Sequence, residues 1–133
     1  MPDKIKLLVV EDEFLIAILL QRNLEVLGYE IGELVISGEE AIESVEKERP
    51  DVILMDIRLG GAMDGIEAAE VICARHDIPI VFMTGYSDEA TMERAMKLQP
   101  VAFLIKPVGP YEIRAVIDTV FKDQGSARSN GLG

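Results

Sequence analysis

The chain has 133 residues, 49% apolar but only 5% aromatic, with a formal net charge of −11 at pH 7. That length sets one domain around one core, and the acidic balance weighs against nucleic-acid binding through this surface while favouring basic partners or cations. No run approaches the roughly 18 apolar residues of a membrane span, and Met1-Pro2-Asp3-Lys4 has no signal-peptide character, so a cytoplasmic protein is expected.

Lys4 to Val10 reads as the first strand. The helix after it carries Ile16, Leu19, Leu20, Leu24 and Leu27 three and four apart, and Gly28 closes it at the C′ position. Tyr29 to Ile36 is the second strand, its partial alternation broken by Gly32, which places it near an edge. Ser37 and Glu40 have capping-box spacing and open a second helix through Ala41, Ile42 and Val45, ended by Pro50. Val52 to Met55 is a continuous apolar run, the length of a strand buried on both faces of a parallel sheet. It delivers Asp56 at its C-terminal end.

A loop from Arg58 to Met63 follows, and Asp64 and Glu67 then repeat the cap-and-Glu spacing to open a third helix through Ile66, Ala69, Val71 and Ile72. In that pattern Cys73, the lone cysteine, is a small core residue, and His76 is a C-terminal cap. Ile80 to Met83 is the fourth strand, turning out at Thr84-Gly85. Ser87 caps a fourth helix across Met92 and Met96, broken by Pro100. Val101 to Ile105 is the fifth strand and runs into Lys106-Pro107; Pro110 then sits in the first turn of a last helix with Ile113, Val116, Ile117 and Val120 on its buried face. This alternation predicts an α/β domain over residues 1–123, a parallel sheet covered by helices on both faces. Residues 124–133, without apolar periodicity, are expected as a disordered tail or linker start.

Ligands of open parallel sheets sit at the C-terminal ends of the strands. With the strands side by side, that rim gathers Glu11, Asp12 and Glu13, then Asp56, Thr84 and Lys106. Glu13 suits the first turn of its helix. Clustered carboxylates repel one another and a divalent cation relieves them. Mg²⁺ fits, since it takes a few carboxylates, keeps several waters and binds phosphoryl oxygens. A carboxylate attacking phosphorus needs charge compensation and alignment more than a base. Asp56 is therefore the candidate phosphoacceptor, with Lys106 as a point charge and Thr84 as a hydroxyl donor to the phosphoryl oxygens. Singly, each has a plainer role as a turn residue or solvated charge; the joint placement carries the reading.

Leu7-Leu8-Val9-Val10-Glu11-Asp12-Glu13, Asp51-Val52-Ile53-Leu54-Met55-Asp56-Ile57-Arg58, Met63-Asp64-Gly65, Val81-Phe82-Met83-Thr84-Gly85 and Phe103-Leu104-Ile105-Lys106-Pro107 together resemble the receiver domain of two-component response regulators. The resemblance runs from about Lys4 to Phe121. It implies a flavodoxin-like doubly wound sheet of five parallel strands in the order 2-1-3-4-5. It also implies that Asp56 takes a phosphoryl group from a sensor histidine kinase or a histidine phosphotransfer protein. Mg²⁺ would lie among Glu11, Asp12, Asp56 and the backbone carbonyl of Arg58, with Thr84 and Lys106 on the phosphoryl oxygens. Thr84 and Phe103 would form a switch, and the Lys106-Pro107 bond would be cis. A downstream protein would dock on the face of the fourth helix, fifth strand and fifth helix, with a homodimer possible and no membrane or nucleic-acid partner. Arg58 and Tyr86 would flank the path of hydrolytic water.

The chain departs from the family pattern at three places. Leu59-Gly60-Gly61-Ala62 lacks the usual proline and is one residue longer, which predicts a more mobile loop. Glu11 stands where many members have Asp, and Phe103 lacks the hydroxyl of the commoner Tyr.

Two rival classes are weaker. A haloacid-dehalogenase-type phosphatase needs an acid two residues after its nucleophile, and Asp56 is followed there by Arg58. A phosphorylation-independent binding module would use Met92, Met96, Phe103 and Tyr111 as an adaptable apolar face, yet it leaves the intact set Asp56, Thr84 and Lys106 without a purpose.

Overall fold

A computed structural model of the chain describes residues 4–86 and 88–132, with side chains described as far as residue 121. Ten elements alternate: β1 (Lys6–Val10), α1 (Phe14–Val26), β2 (Glu30–Val35), α2 (Gly38–Lys47), β3 (Val52–Asp56), α3 (Gly65–Arg75), β4 (Ile80–Thr84), α4 (Glu89–Met96), β5 (Ala102–Ile105) and α5 (Pro110–Leu132). All neighbouring strands are parallel. Their order, β2-β1-β3-β4-β5, is the flavodoxin-like doubly wound arrangement. It makes β3 the central strand and reverses direction between β1 and β3, the switch point where such sheets open a crevice.

Strand alternation divides the core into two layers. Leu8, Val10, Ile53, Met55, Ile80 and Phe82 face the side covered by α2, α3 and Ala95 of α4. Leu7, Val9, Val52, Leu54, Val81 and Met83 face Leu20 and Leu24 of α1 and Ile113 and Ile117 of α5. Strands covered on both faces must be apolar at successive positions, which is why β3 and β4 appear in the sequence as unbroken runs.

Local chemistry sets the helix ends. Gly28 adopts φ +101, its N–H donates to Glu25 O and that of Tyr29 to Leu24 O, the paired bonds of a Schellman turn. Ser37 accepts the N–H of Glu40 at 3.1 Å. Asp64 and Glu67 form a reciprocal capping box, each side chain accepting the other's backbone N–H at 2.8–2.9 Å. His76 ends α3 with its N–H on Ile72 O, and its ring reaches Glu46 at 2.8 Å. Gly38 lets α2 lie against α3; a Cβ there would come within 3.1 Å of Ala68 and Met63.

Two details differ from the sequence expectation. Leu19 is exposed rather than in the core, because Ala17, Leu20 and Leu24 form the buried stripe of α1. The cap of α4 is Asp88, which accepts Thr91 N–H at 2.7 Å; Ser87 lies outside the described residues. Met92 and Met96 are exposed, and Ala95 is the one buried residue of α4 among those described. β2 is an edge strand with a register shift opposite Leu7 and Val9, where Gly32 and Glu33 lie. Residues 124–133 are the stretch read as a tail. The side chains there lie outside those described, and the domain boundary at residue 123 rests on sequence alone. No described helix is long and apolar enough to cross a membrane.

Candidate functional site

Because all strands are parallel, the residues that follow them meet on one rim. β3 ends in buried Asp56, β1 leads into Glu11 and Asp12, β4 ends in buried Thr84, and β5 leads into Lys106. Glu11, Asp12 and Asp56 each offer a carboxylate oxygen, and these oxygens lie within 4.8 Å of one another. Lys106 Nζ donates to Glu11 Oε1 at 2.6 Å and to Asp56 Oδ2 at 3.1 Å. The other Glu11 oxygen accepts Glu13 N–H at 3.1 Å, so this fully buried carboxylate is satisfied on both sides. Asp12 is exposed, and its Oδ2 accepts Gly60 N–H at 3.3 Å.

Burial pushes the Asp56 carboxyl up to about 7, Glu11 adds to the rise, and Lys106 opposes it. Burial works against the Lys106 ammonium too, but hydrogen bonds and charge from Glu11 and Asp56 outweigh it, and its pKa is raised. Three carboxylates against one ammonium leave the rim with excess negative charge. An all-oxygen donor set with one exposed member fits a hard divalent cation such as Mg²⁺.

The backbone beside Asp56 is held by a glycine to which the sequence reading gave no role. Gly65 donates its N–H to Ile57 O at 2.8 Å, and a Cβ on it would overlap the Asp56 carbonyl oxygen. Only glycine allows this approach. In the sequence it shows only as the last residue of Met63-Asp64-Gly65, directly after a cap.

The remaining predicted residues sit nearby. Thr84 Oγ1 donates to Tyr86 O at 2.7 Å and accepts Tyr86 N–H at 3.4 Å, so the hydroxyl serves its own turn. Phe103 is half-buried against the layer containing Phe82 and Ala95. Arg58 directs its guanidinium over the Tyr86 ring, 5.2 Å from the centroid. The loop between Arg58 and Asp64 is anchored by Leu59 and Met63, which pack on the core, and Gly61 takes φ +98. The Lys106-Pro107 bond is cis.

The family described as response regulator receiver domain matches residues 7–118. The chain belongs to that family. This receiver domain is 38% identical over 102 residues to the transcriptional regulatory protein PdtaR of Mycobacterium tuberculosis, covering 77% of this chain and 49% of that protein. Among solved structures it is similar to the signal receiver domain of a modulated diguanylate cyclase from Desulfovibrio desulfuricans, with a TM-score of 0.85, 36% identity and coverage of 94% and 99%. It is also similar to a response regulator from Burkholderia pseudomallei solved with a phosphorylated aspartic acid, calcium and citrate. There the TM-score is 0.79, with 27% identity and coverage of 98% of this chain and 76% of that one. The receiver domain spans about half the length of the curated relatives it matches. As a receiver domain it is a signalling module of two-component systems.

Proposed function

We propose that Asp56 is the phosphoacceptor of this receiver domain, working with Mg²⁺ held by Glu11, Asp12, Asp56 and the Arg58 carbonyl. The donor would be a phosphohistidine on a sensor kinase or phosphotransfer protein, in the cytoplasm, and residues 1–123 would suffice. One observation supports this above the rest: the buried carboxylate of a three-carboxylate cluster is in contact with a lysine ammonium.

In the step, an Asp56 oxygen bonds to phosphorus as the phosphorus–nitrogen bond breaks, and the pair of electrons returns to the departing imidazole. Mg²⁺, when bound, supplies positive charge to the phosphoryl oxygens and to the carboxylates. Lys106 already donates to Asp56 and turns from carboxylate to phosphoryl oxygen without leaving the site. Thr84 must exchange its Tyr86 acceptor for a phosphoryl oxygen, which couples phosphorylation to the segment entering α4. The downstream partner, a second copy among the candidates, would use the exposed Met92, Met96, Ile105 and Tyr111 of the α4, β5 and α5 face.

The test is incubation with acetyl phosphate, with and without Mg²⁺, read by intact mass. The chain should gain one phosphoryl group only with Mg²⁺, and Asp56→Asn should gain none. No gain under any condition would promote the phosphorylation-independent binding module. A second prediction concerns lifetime. Arg58 and Tyr86, stacked on each other, crowd the approach of water to the aspartyl phosphate. Arg58→Asn with Tyr86→Glu should speed loss of phosphate about tenfold, roughly 1.4 kcal/mol of barrier. An unchanged decay rate would remove these side chains from the account.

A further inference from the structure

Helix α4 is attached to the rest of the molecule by little. It buries only Ala95 among its residues, so its position depends on polar contacts at its surface. One of these crosses to another element: Arg94 Nη2 lies 3.1 Å from Asp64 Oδ2 and 3.4 Å from Asp64 Oδ1. Asp64 is no free surface carboxylate. It caps α3 through Glu67, and its neighbour Gly65 lies against the backbone of Asp56. A second contact repeats the connection, since Arg58, two residues after Asp56, covers Tyr86, two residues after Thr84. The segment leaving β3 and the segment leaving β4 are thus clipped together twice.

We propose that the Arg94–Asp64 ion pair is a latch that holds α4 in its unphosphorylated position and is released when Asp56 is modified. The proposal rests on the reading of Asp56 as phosphoacceptor. While Thr84 is bonded to Tyr86, the turn into α4 stays where it is and Arg94 reaches Asp64. When Thr84 gives up Tyr86, the turn shifts and carries α4 with it, and the ion pair opposes that shift. Removing the pair therefore favours the modified state by whatever the pair contributed to the resting one. An ion pair about as exposed as this one shifts an equilibrium by about two- to fivefold.

The experiment compares the chain with Arg94→Ala and with Asp64→Asn, whose side-chain oxygen still caps α3, and with the double variant. Amide hydrogen exchange is measured over residues 89–96, and so is the affinity for beryllium fluoride with Mg²⁺ as a phosphoryl mimic. Each single variant should speed exchange in α4 by about two- to fivefold, tighten beryllium fluoride by a similar factor, and leave exchange in α1 unchanged. The double variant should match either single one. Unchanged exchange in α4 overturns the latch whatever the mimic does. Faster exchange with unchanged or weaker mimic binding overturns the coupling to Asp56. Failure of the unsubstituted chain to bind the mimic at all sinks the phosphoacceptor reading and the coupling with it, while exchange still reports the tether separately.

Discussion

Gly65→Ala destabilises the chain by about 3 kcal/mol, a fall of roughly 10 °C in Tm, and weakens Mg²⁺ binding together with it. The added carbon would overlap the Asp56 carbonyl oxygen and stand 2.9 Å from its carbon and 3.0 Å from Ile57 Cα. All three atoms are backbone of the central strand or its exit, so no rotamer change makes room. Either α3 retreats, losing the Gly65 to Ile57 hydrogen bond and its packing on β3, or the end of β3 moves and takes the Asp56 carboxylate out of register with Glu11. Thermal unfolding and Mg²⁺ titration together check this, with Gly109→Ala as the control, since nothing lies within 4 Å of a Cβ there. Equal stability of the two variants would show that the close approach is not needed.

Lys106→Met makes the stability of the metal-free chain fall steeply between pH 5 and pH 8. Its ammonium is the cation in contact with Glu11 and Asp56, and removing one partner of a buried ion pair costs about 3–5 kcal/mol when the other stays charged. Asp56 need not stay charged. Its pKa in the folded chain, about 7, is above the roughly 3.9 of an unfolded Asp, so the folded state holds a proton that the unfolded state has released. The stability tied to that proton is complete below the unfolded value and is lost as pH rises through the folded one. Lys106 has the same sign at a higher pH: its contribution is complete below an unfolded pKa of about 10.4 and is lost as pH rises from there through its higher folded value. Without Lys106, Asp56 protonates more readily, which spares the variant at pH 5 and exposes it at pH 8. Adding Mg²⁺ should restore stability, and more so at pH 8. A loss of equal size at both pH values would mean that Lys106 contributes packing alone.

The strands were legible because a strand covered on both faces has no choice but to be apolar, and Val52 to Met55 and Ile80 to Met83 have no other explanation at that length. The rim was legible for the same reason, since in a parallel sheet the residue after each run lands beside the residue after the next. Side-chain partners were not. Lys106 was assigned to an incoming phosphoryl group, yet it rests on Glu11, 95 residues away in sequence, a choice that depends on a crevice only the packed sheet creates. Leu19 matched the helical spacing as well as Leu20 did. Which of two adjacent leucines faces inward depends on a rotation of α1 set by its neighbours. The cap of α4 was misplaced by one residue, since Ser87 and Asp88 are equally good acceptors and the chain's exit from β4 decides between them. Arg94 in α4 and Asp64 at the cap of α3, 30 residues apart, carried no signal of their pairing.

The order of the strands leaves two edges, and both are guarded. β2 bends at Gly32 and shows Glu30 and Glu33 to solvent, while β5 is four residues long. A charged, irregular edge and a short one are poor templates for an added strand. Copies of this chain brought together at high concentration will therefore meet through helix faces, and fibrils growing by sheet extension should not seed from the native fold.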